Sequence, residues 1–330
     1  MFGQSAGGVS INCHLLRDEP LFSSAILQSG LTRLCGVMSI DEYQTIYEKM
    51  LSELKIPVDL PSAERMSRIL QVDTDSITAA MVPVFPVPVV TMALCDDQVL
   101  IPNTALPKSI NYETNFKIPA WCPEIMVGDC INECIIWNKA WNTLSVPDLL
   151  SKMDNFWGSE KTKLIAKLYG ITPDLSPKEI FNKIERFTSD GMYLIPNYYA
   201  QKANPSIYAW HFDVPSPYDN SWGGYAHHSF DNVLIWGVLK HTLPDSHQKV
   251  GEVMTEAWVK FANGEKPWER FGENNRWMVF SPNSATLKTE AEDSERGYEK
   301  WQALHEAGVI SDFSDLSDEL NLKFAELLRK

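Results

Sequence analysis

An α/β layer fold is the class that this sequence predicts. Three short apolar runs have the length and composition of buried strands, at residues 24–30, 118–127 and 206–213. Between them lie long segments whose apolar residues recur at three- and four-residue intervals, above all residues 147–202. Strands that alternate with helices favour a sheet covered by helices.

The first elements along the chain are a turn, a helix and a strand. Small residues at positions 3–8 run into an apolar segment at 9–16, which predicts a turn that feeds a helix. Residues 24–30 follow as a strand that ends in a turn. Residues 41–54 have helical spacing after an N-cap candidate at Ser39 or Asp41.

The later elements complete one predicted domain. The proline-rich residues 82–90 and the following residues 96–110 are predicted to be extended or looped. The strand at 118–127 is predicted to end at Gly128, with a helix from about Asn132 onward. Beyond the strand at 206–213, we predict a helix, a strand at 277–280 and two terminal helices. Neither a repeat nor a shift in composition marks a boundary, so we predict a single domain over residues 1–330.

Composition and charge limit the classes of function. Hydrophobic residues make up 44% and charged residues 22% of the 330 residues, a balance typical of globular proteins. The net charge of −14 argues against nucleic acid and anionic membranes as partners, since both are polyanions. The longest apolar stretch, residues 81–90, is too short and too rich in proline to span a bilayer. Six cysteines and the lack of a signal peptide at the first residues favour a reduced, cytoplasmic setting.

The sequence Gly3-Gln4-Ser5-Ala6-Gly7 has the pattern G-x-S-x-G of a nucleophile elbow. In an elbow the serine stands on a tight strand-to-helix turn, which requires small neighbours two positions before and after it. The backbone N–H of Ala6 would then donate to the oxyanion of a tetrahedral intermediate. The alternative is a chance match in a flexible loop, and the helical run after Gly7 favours the elbow.

Residues 2–10, followed by residues 21–30 with their ending Ile-Leu-Gln-Ser-Gly, resemble the type B carboxylesterase/cholinesterase family, in particular its fungal carboxylesterases. The resemblance implies an α/β-hydrolase fold and hydrolysis of a small-molecule ester without a cofactor. Family members place the first strands of the central sheet and a Gly-Gly oxyanion loop before the nucleophile. This sequence begins at the elbow, so we expect the C-terminal portion of such a domain, lacking those strands.

The resemblance selects His228 among seven histidines as the general base. The family carries its histidine in a loop of the form His-Gly-x-Glu, followed by an apolar run and a glycine. Here His228 leads through Ser229 and Asp231 to Gly237 at matching offsets, with serine for glycine and aspartate for glutamate. The alternative is that the pair His227–His228 belongs to an ordinary polar loop or makes an adventitious metal contact.

The resemblance also implies that Glu133 is the acid, because the family has a glutamate five residues after a glycine that ends a strand. Gly128 and Glu133 have that spacing, although Cys134 replaces the glycine that usually follows. Asp129 is the local rival. On its own Glu133 would be an ordinary acid at a helix N-terminus, and the chain order serine, acid, histidine favours the triad. The spacing of Cys122, Cys130 and Cys134 does not fit a zinc site, so no metal is expected.

The leading functional hypothesis is therefore ester hydrolysis through an acyl-enzyme, with Ser5, Glu133 and His228 as catalytic triad. The alternative is a truncated or non-catalytic member of the family with a binding or regulatory role. An apolar stripe near the C-terminus is predicted to pack on the chain itself, with a homodimer through terminal helices as a second possibility. The stripe consists of Phe313, Leu316, Leu320, Phe324 and Leu327.

Overall fold

The computed structural model describes residues 1–31, 37–84, 94–96, 116, 118–136 and 145–309. The chain divides into two compact units, one formed by residues 1–34 and 109–328 with residue 330, the other by residues 35–108 with residue 329. Each unit has its own sheet. Our prediction of a single domain over residues 1–330 stays a prediction.

The described strands, in chain order, are β1 (Phe2–Gln4), β2 (Ser24–Gln28), β3 (Val37–Ser39), β4 (Leu94–Asp96), β5 (Glu124–Cys130), β6 (Tyr208–Phe212), β7 (Trp277–Ser281) and β8 (Ser284–Lys288). The described α-helices are α1 (Ala6–Leu15), α2 (Ile40–Glu53), α3 (Ser62–Ile69), α4 (Thr74–Met81), α5 (Val146–Trp157), α6 (Ser159–Tyr169), α7 (Pro177–Ser189), α8 (Ile195–Ala203), α9 (Phe230–Trp236), α10 (Asp245–Ala262), α11 (Phe271–Asn274) and α12 (Tyr298–Glu306). A π-helix at Asp190–Leu194 joins α7 to α8, and 3₁₀ turns lie at Lys240–Thr242 and Ser294–Arg296.

The sheet of the first unit has the order β1-β2-β5-β6-β7-β8. Its first five strands are parallel, and β8 returns antiparallel to β7. The carboxyl ends of parallel strands lie along one edge, which is where sites form in open α/β sheets. The elbow after β1 and the turn after β5 both lie at this edge.

Alternate residues of each strand pack on opposite faces of this sheet. Ala25 and Leu27 of β2 belong to one apolar cluster, together with buried residues of α5 to α8 and α12. Ile26, between them, belongs to a second cluster that includes residues of α9 and α10. Burial on both faces explains why these strands are continuous apolar runs rather than alternating ones.

The predicted strand at 118–127 differs from the structure, where β5 begins at Glu124 and continues to Cys130. Gly128, predicted to end the strand, lies inside it. A side chain at Gly128 would place its Cβ 2.2 Å from Cδ2 of Trp210 on the neighbouring strand. The glycine therefore makes room for an indole ring within the sheet and does not form a turn.

The second unit shows one prediction confirmed in detail. Helix α2 begins after Ser39, whose hydroxyl accepts from the backbone N–H of Glu42 while the Glu42 carboxylate accepts from the backbone N–H of Ser39. This reciprocal pair satisfies two donors at the start of the helix. Strands β3 and β4 pair in parallel, with Val37 opposite Leu94.

The remaining predictions have different outcomes. The helical segment at 147–202 and the strands at 24–30, 206–213 and 277–280 are confirmed, whereas β8 was missed because its sequence is largely polar. Most of residues 82–110 and the whole C-terminal stripe lie outside the described residues. In the ranges that are described, no helix has both the length and the apolar character needed to cross a membrane.

Candidate active site

Ser5 occupies the single residue between strand β1 and helix α1, with φ 56° and ψ −124°. Few residues with a side chain adopt a positive φ, and those that do cluster at functional sites. The Ser5 backbone N–H donates to the carbonyl of Gln28 at 2.9 Å, which ties the turn to the neighbouring strand β2. The geometry is that of a strand-to-helix elbow that lifts the serine above the sheet edge.

The glycines around Ser5 are needed for close backbone contacts. A Cβ on Gly3 would lie 2.5 Å from the backbone of Gly7, and a Cβ on Gly8 would lie 2.7 Å from the carbonyl oxygen of Gly30. On Gly30 it would lie 2.1 Å from the carbonyl oxygen of Ser5. The elbow and the end of the Ile-Leu-Gln-Ser-Gly segment are therefore packed directly on each other, which explains why both occur in one sequence.

Glu133 and His228 are brought together by the structure. Glu133 Oε2 lies 2.5 Å from Nδ1 of His228, and both residues are buried, with 0% and 5% of their surface exposed. The second oxygen of Glu133 accepts from the backbone N–H of Cys130 at 2.8 Å. Both carboxylate oxygens are thus engaged, and the acid is held in one orientation just beyond the end of β5.

The other ring nitrogen of His228 faces Gln4 rather than Ser5. The Gln4 side-chain nitrogen Nε2 lies 3.0 Å from His228 Nε2. An amide nitrogen can only donate, so His228 Nε2 accepts and the proton is on Nδ1, facing Glu133. Within the described part of the chain the Ser5 hydroxyl forms no hydrogen bond. The structure therefore pairs the predicted acid with the predicted base, and Gln4, the neighbour of Ser5, contacts the other ring nitrogen of that base.

Ala6, predicted as an oxyanion donor, is the first residue of α1 and is exposed. The first N–H groups of a helix have no partner within the helix, and the helix dipole makes that end attractive to negative charge. These features are compatible with the predicted role of the Ala6 N–H.

Asp129, the rival acid, is committed to a different network. Its carboxylate accepts from His211 at 3.1 Å and Asn197 at 2.9 Å and pairs with the buried guanidinium of Arg296. Burial alone would raise the pKa of Asp129, but Arg296 and His211 hold that pKa at about 2. This ionised carboxylate balances Arg296 and is not hydrogen-bonded to His228.

Sequence reasoning missed Gln28, the last residue of β2, which is almost fully buried. Its carbonyl accepts from Ser5, and its side-chain nitrogen donates to Asp231 at 2.7 Å. Burial raises the pKa of Asp231 to about 6. Gln28 thus connects the elbow to helix α9, which follows the loop of His228. The sequence did contain a signal for this residue, since Gln28 is a polar side chain within the apolar run predicted to be a strand.

His227 is the neighbour of the predicted base, and its ring makes a different contact. Its Nδ1 donates to the backbone carbonyl of His228 at 2.8 Å. Burial lowers the pKa of His227, which favours the neutral ring. Among the residues that the structure describes, no three His, Cys, Asp or Glu side chains are grouped as a metal ion would require.

Two solved esterase structures have a similar fold. The carboxylesterase EST55 of Geobacillus stearothermophilus matches with a TM-score of 0.67 and 18% identity, over 91% of this chain and 63% of that one. A PNB esterase matches with a TM-score of 0.63 and 17% identity, over 91% of this chain and 61% of the other. At these identities the likeness concerns the fold, which is that of the α/β-hydrolases.

Sequence comparisons agree with the fold. An uncharacterized esterase/lipase, C417.12, of Schizosaccharomyces pombe is 25% identical over 190 residues, which is 54% of this chain and 33% of that protein. The chain therefore spans about a third of that relative and less than two thirds of the solved esterases. The model of the carboxylesterase family matches residues 1–303. This chain belongs to the carboxylesterase family.

Proposed function

We propose that this chain carries the catalytic triad of a serine carboxylic-ester hydrolase, with Ser5 as nucleophile, His228 as general base and Glu133 as the acid that orients it. The observation that carries the proposal is the contact between His228 Nδ1 and Glu133 at 2.5 Å, beside a serine on a strand-to-helix elbow. A hydroxyl is a weak nucleophile until a base accepts its proton, and the base needs the correct tautomer. The network around His228 has that tautomer.

The reaction proceeds through two tetrahedral intermediates. Ser5 Oγ attacks the ester carbonyl carbon while its proton passes to His228 Nε2, and Glu133 stabilises the imidazolium. The Ala6 N–H donates to the oxyanion. The intermediate expels the alcohol, which takes the proton from Nε2 and leaves an acyl group on Ser5. Water, deprotonated by His228, then attacks the acyl carbon, and the acid is released as Ser5 recovers its proton.

This mechanism requires Gln4 to release His228 Nε2 before Ser5 can use it. Proton transfer needs heavy atoms within about 2.6–3.2 Å, and catalytic contacts are often formed only when substrate binds. One net hydrogen bond contributes about 1 kcal/mol, so exchanging the Gln4 amide for the Ser5 hydroxyl is energetically accessible.

A fluorophosphonate probe tests the proposal, because it phosphonylates an activated serine. We expect covalent labelling of this chain at Ser5, found by mass spectrometry of the labelled peptide, and none after Ser5→Ala. The matched control is Ser10→Ala, which removes an exposed hydroxyl on α1, the helix that follows Ser5. Equal labelling of the Ser5→Ala variant and the original chain would disprove the assignment of the nucleophile.

A non-catalytic role within the family is the second candidate. It is favoured by the Gln4 amide, which occupies the acceptor nitrogen of His228, and by the Ser5 hydroxyl, which is not bonded to the base. Under this alternative the chain would bind esters without turnover. Lack of probe labelling, together with saturable binding of a p-nitrophenyl ester by calorimetry, would favour it over the hydrolase.

A further inference from the structure

We propose that Glu185, on helix α7, is a positioning residue that holds the loop of Glu133 and the loop of His228 together and lets protonation control their alignment. The inference rests on the proposed function, because it concerns the same acid and base. Glu185 lies far from both in sequence and does not contact either directly. It acts through Asn132, Ser189 and the backbone of Cys134.

The Glu185 carboxylate holds the residues on either side of Glu133. Its Oε2 accepts from the side-chain nitrogen of Asn132 at 2.9 Å, and its Oε1 accepts from the hydroxyl of Ser189 at 2.7 Å. The Ser189 hydroxyl in turn accepts from the backbone N–H of Cys134 at 2.9 Å. The acid is therefore flanked by two anchors that both end on one carboxylate.

Asn132 extends this arrangement to the loop of the base. Its backbone N–H donates to the carbonyl of Ala226 at 3.1 Å, and its side-chain oxygen accepts from the N–H of Ala226 at 3.2 Å. Asn132 also forms a parallel bridge with His227. The side chain that Glu185 holds is thus the one that joins the two loops immediately before Glu133 and His228.

Glu185 is buried, with 2% of its surface exposed, and burial raises its pKa to about 7. The charged and titratable groups that face it are Arg186 and Asp190 from its own segment, and Cys134 and Tyr225 from the two loops. Arg186 offsets the effect of burial only in part, because its Nε lies 2.9 Å from Asp190. A buried carboxyl near neutrality without its own cation is more typical of a functional position than of a structural one.

Protonation of Glu185 weakens the anchors. The ionised carboxylate accepts from both Asn132 and Ser189. A proton on Oε2 would face the Asn132 amide nitrogen, which can only donate, and would break that anchor, whereas a proton on Oε1 would reverse the bond to the Ser189 hydroxyl. Either change alters the anchors that fix Glu133 relative to His228. We therefore expect the alignment of the pair to be lost as the pH falls through about 7.

The test is the pH profile of kcat for hydrolysis of p-nitrophenyl acetate, measured for the original chain and Glu185→Gln. We expect the acid limb of the original chain to include an ionisation near pH 7 that is absent from Glu185→Gln, whose amide cannot ionise. At pH 8 the variant should lose about tenfold in kcat with little change in KM, as is typical when an orienting partner is altered. Glu160→Gln, at an exposed carboxylate on α6, is the matched control and should keep the ionisation near pH 7.

A second measurement does not depend on activity. The proton between His228 Nδ1 and Glu133 should give a far-downfield ¹H NMR resonance, assigned by its loss in His228→Gln. Its pH dependence should include a transition near 7 that is absent from Glu185→Gln. That transition without esterase activity would reject the proposed function and keep this inference. Identical pH profiles and identical resonances for the original chain and Glu185→Gln would overturn the role of Glu185. If both proteins then hydrolysed the ester, the proposed function would remain intact.

Discussion

The side-chain amide of Gln4 donates to His228 Nε2 across 3.0 Å, between residues that are 224 positions apart in the chain. Gln4 directly precedes the predicted nucleophile, and Nε2 is the atom that must receive the serine proton. The two ring nitrogens of His228, the proposed base, are therefore both engaged, Nδ1 by Glu133 and Nε2 by Gln4. Access of Ser5 to the base depends on whether this contact breaks.

Removing the amide should make the base more available. We predict that Gln4→Ala raises the rate of fluorophosphonate labelling about fivefold, since a net hydrogen bond contributes about 1 kcal/mol. The rate is measured by gel fluorescence under pseudo-first-order conditions. Gln302→Ala, at an exposed position on α12, should leave the rate unchanged. A slower rate for Gln4→Ala would instead mean that the amide supports the ring in its active position.

Glu133 and Asp129 should respond differently to loss of charge. Glu133→Gln would present an amide N–H to His228 Nδ1 and favour the wrong tautomer, so labelling should fall by about 10³–10⁴. Asp129→Asn should chiefly lower stability, by about 3–5 kcal/mol, because the buried Arg296 loses a partner. Labelling rates and urea unfolding of the two variants, side by side, check both effects. A large loss of labelling for Asp129→Asn, with labelling unchanged for Glu133→Gln, would make Asp129 the catalytic acid.

Asp129 should also contribute to acid unfolding. Its pKa of about 2 in the folded chain lies below its ordinary value of 3.8, so its stabilisation is fully present above about pH 4. That stabilisation, about 2 kcal/mol, is lost as the pH falls through 2. The free energy of unfolding, measured by urea titration, should fall more between pH 5 and pH 2.5 for the original chain than for Asp129→Asn. An equal difference for the two proteins would contradict this assignment.

Glu185 should have the opposite effect. Its pKa is raised to about 7 from 4.5, so its favourable contribution is complete below pH 4.5 and is lost as the pH rises through 7. Keeping this carboxylate ionised at pH 8 costs about 3 kcal/mol. Glu185→Gln avoids that cost, so its Tm relative to the original chain should be higher at pH 8 than at pH 5. We would abandon the raised pKa of Glu185 if the Tm difference between Glu185→Gln and the original chain were the same at pH 5 and pH 8.

Ser229 offers a test of backbone strain beside the base. It has φ 68°, in the left-handed region, which glycine adopts more readily than serine. Ser229→Gly should stabilise the fold by about 1 kcal/mol, because the left-handed conformation is unfavourable for residues with a Cβ. Differential scanning fluorimetry should show a Tm higher by about 2 °C. Asn275→Gly, at φ 51°, is the control and should gain less, since asparagine tolerates this region. A lower Tm for Ser229→Gly would indicate that the serine side chain makes a stabilising contact.

The local elements could be predicted from the sequence because they follow from periodicity and from small residues at fixed offsets. The elbow at Ser5, the helix after Ser39 and the strands at 24–30 and 206–213 are of this kind. The offset from Gly128 led to Glu133, the carboxylate that contacts His228, even though Gly128 itself was misplaced at the end of a strand. The reason is that offsets along the chain persist when the boundary of an element shifts.

Only the tertiary structure decided which side chains meet. Asp129 and Glu133 are equally acidic in sequence, and the difference between them is an arginine 167 residues away that binds only the first. The contacts of Gln28 with Asp231 and of Glu185 with Asn132 also join distant segments. Local patterns determine which elements form, because each residue responds to its neighbours in the chain. The order of strands in the sheet determines which loops converge, because the carboxyl ends of neighbouring parallel strands such as β2 and β5 meet at one edge although they are far apart in the chain.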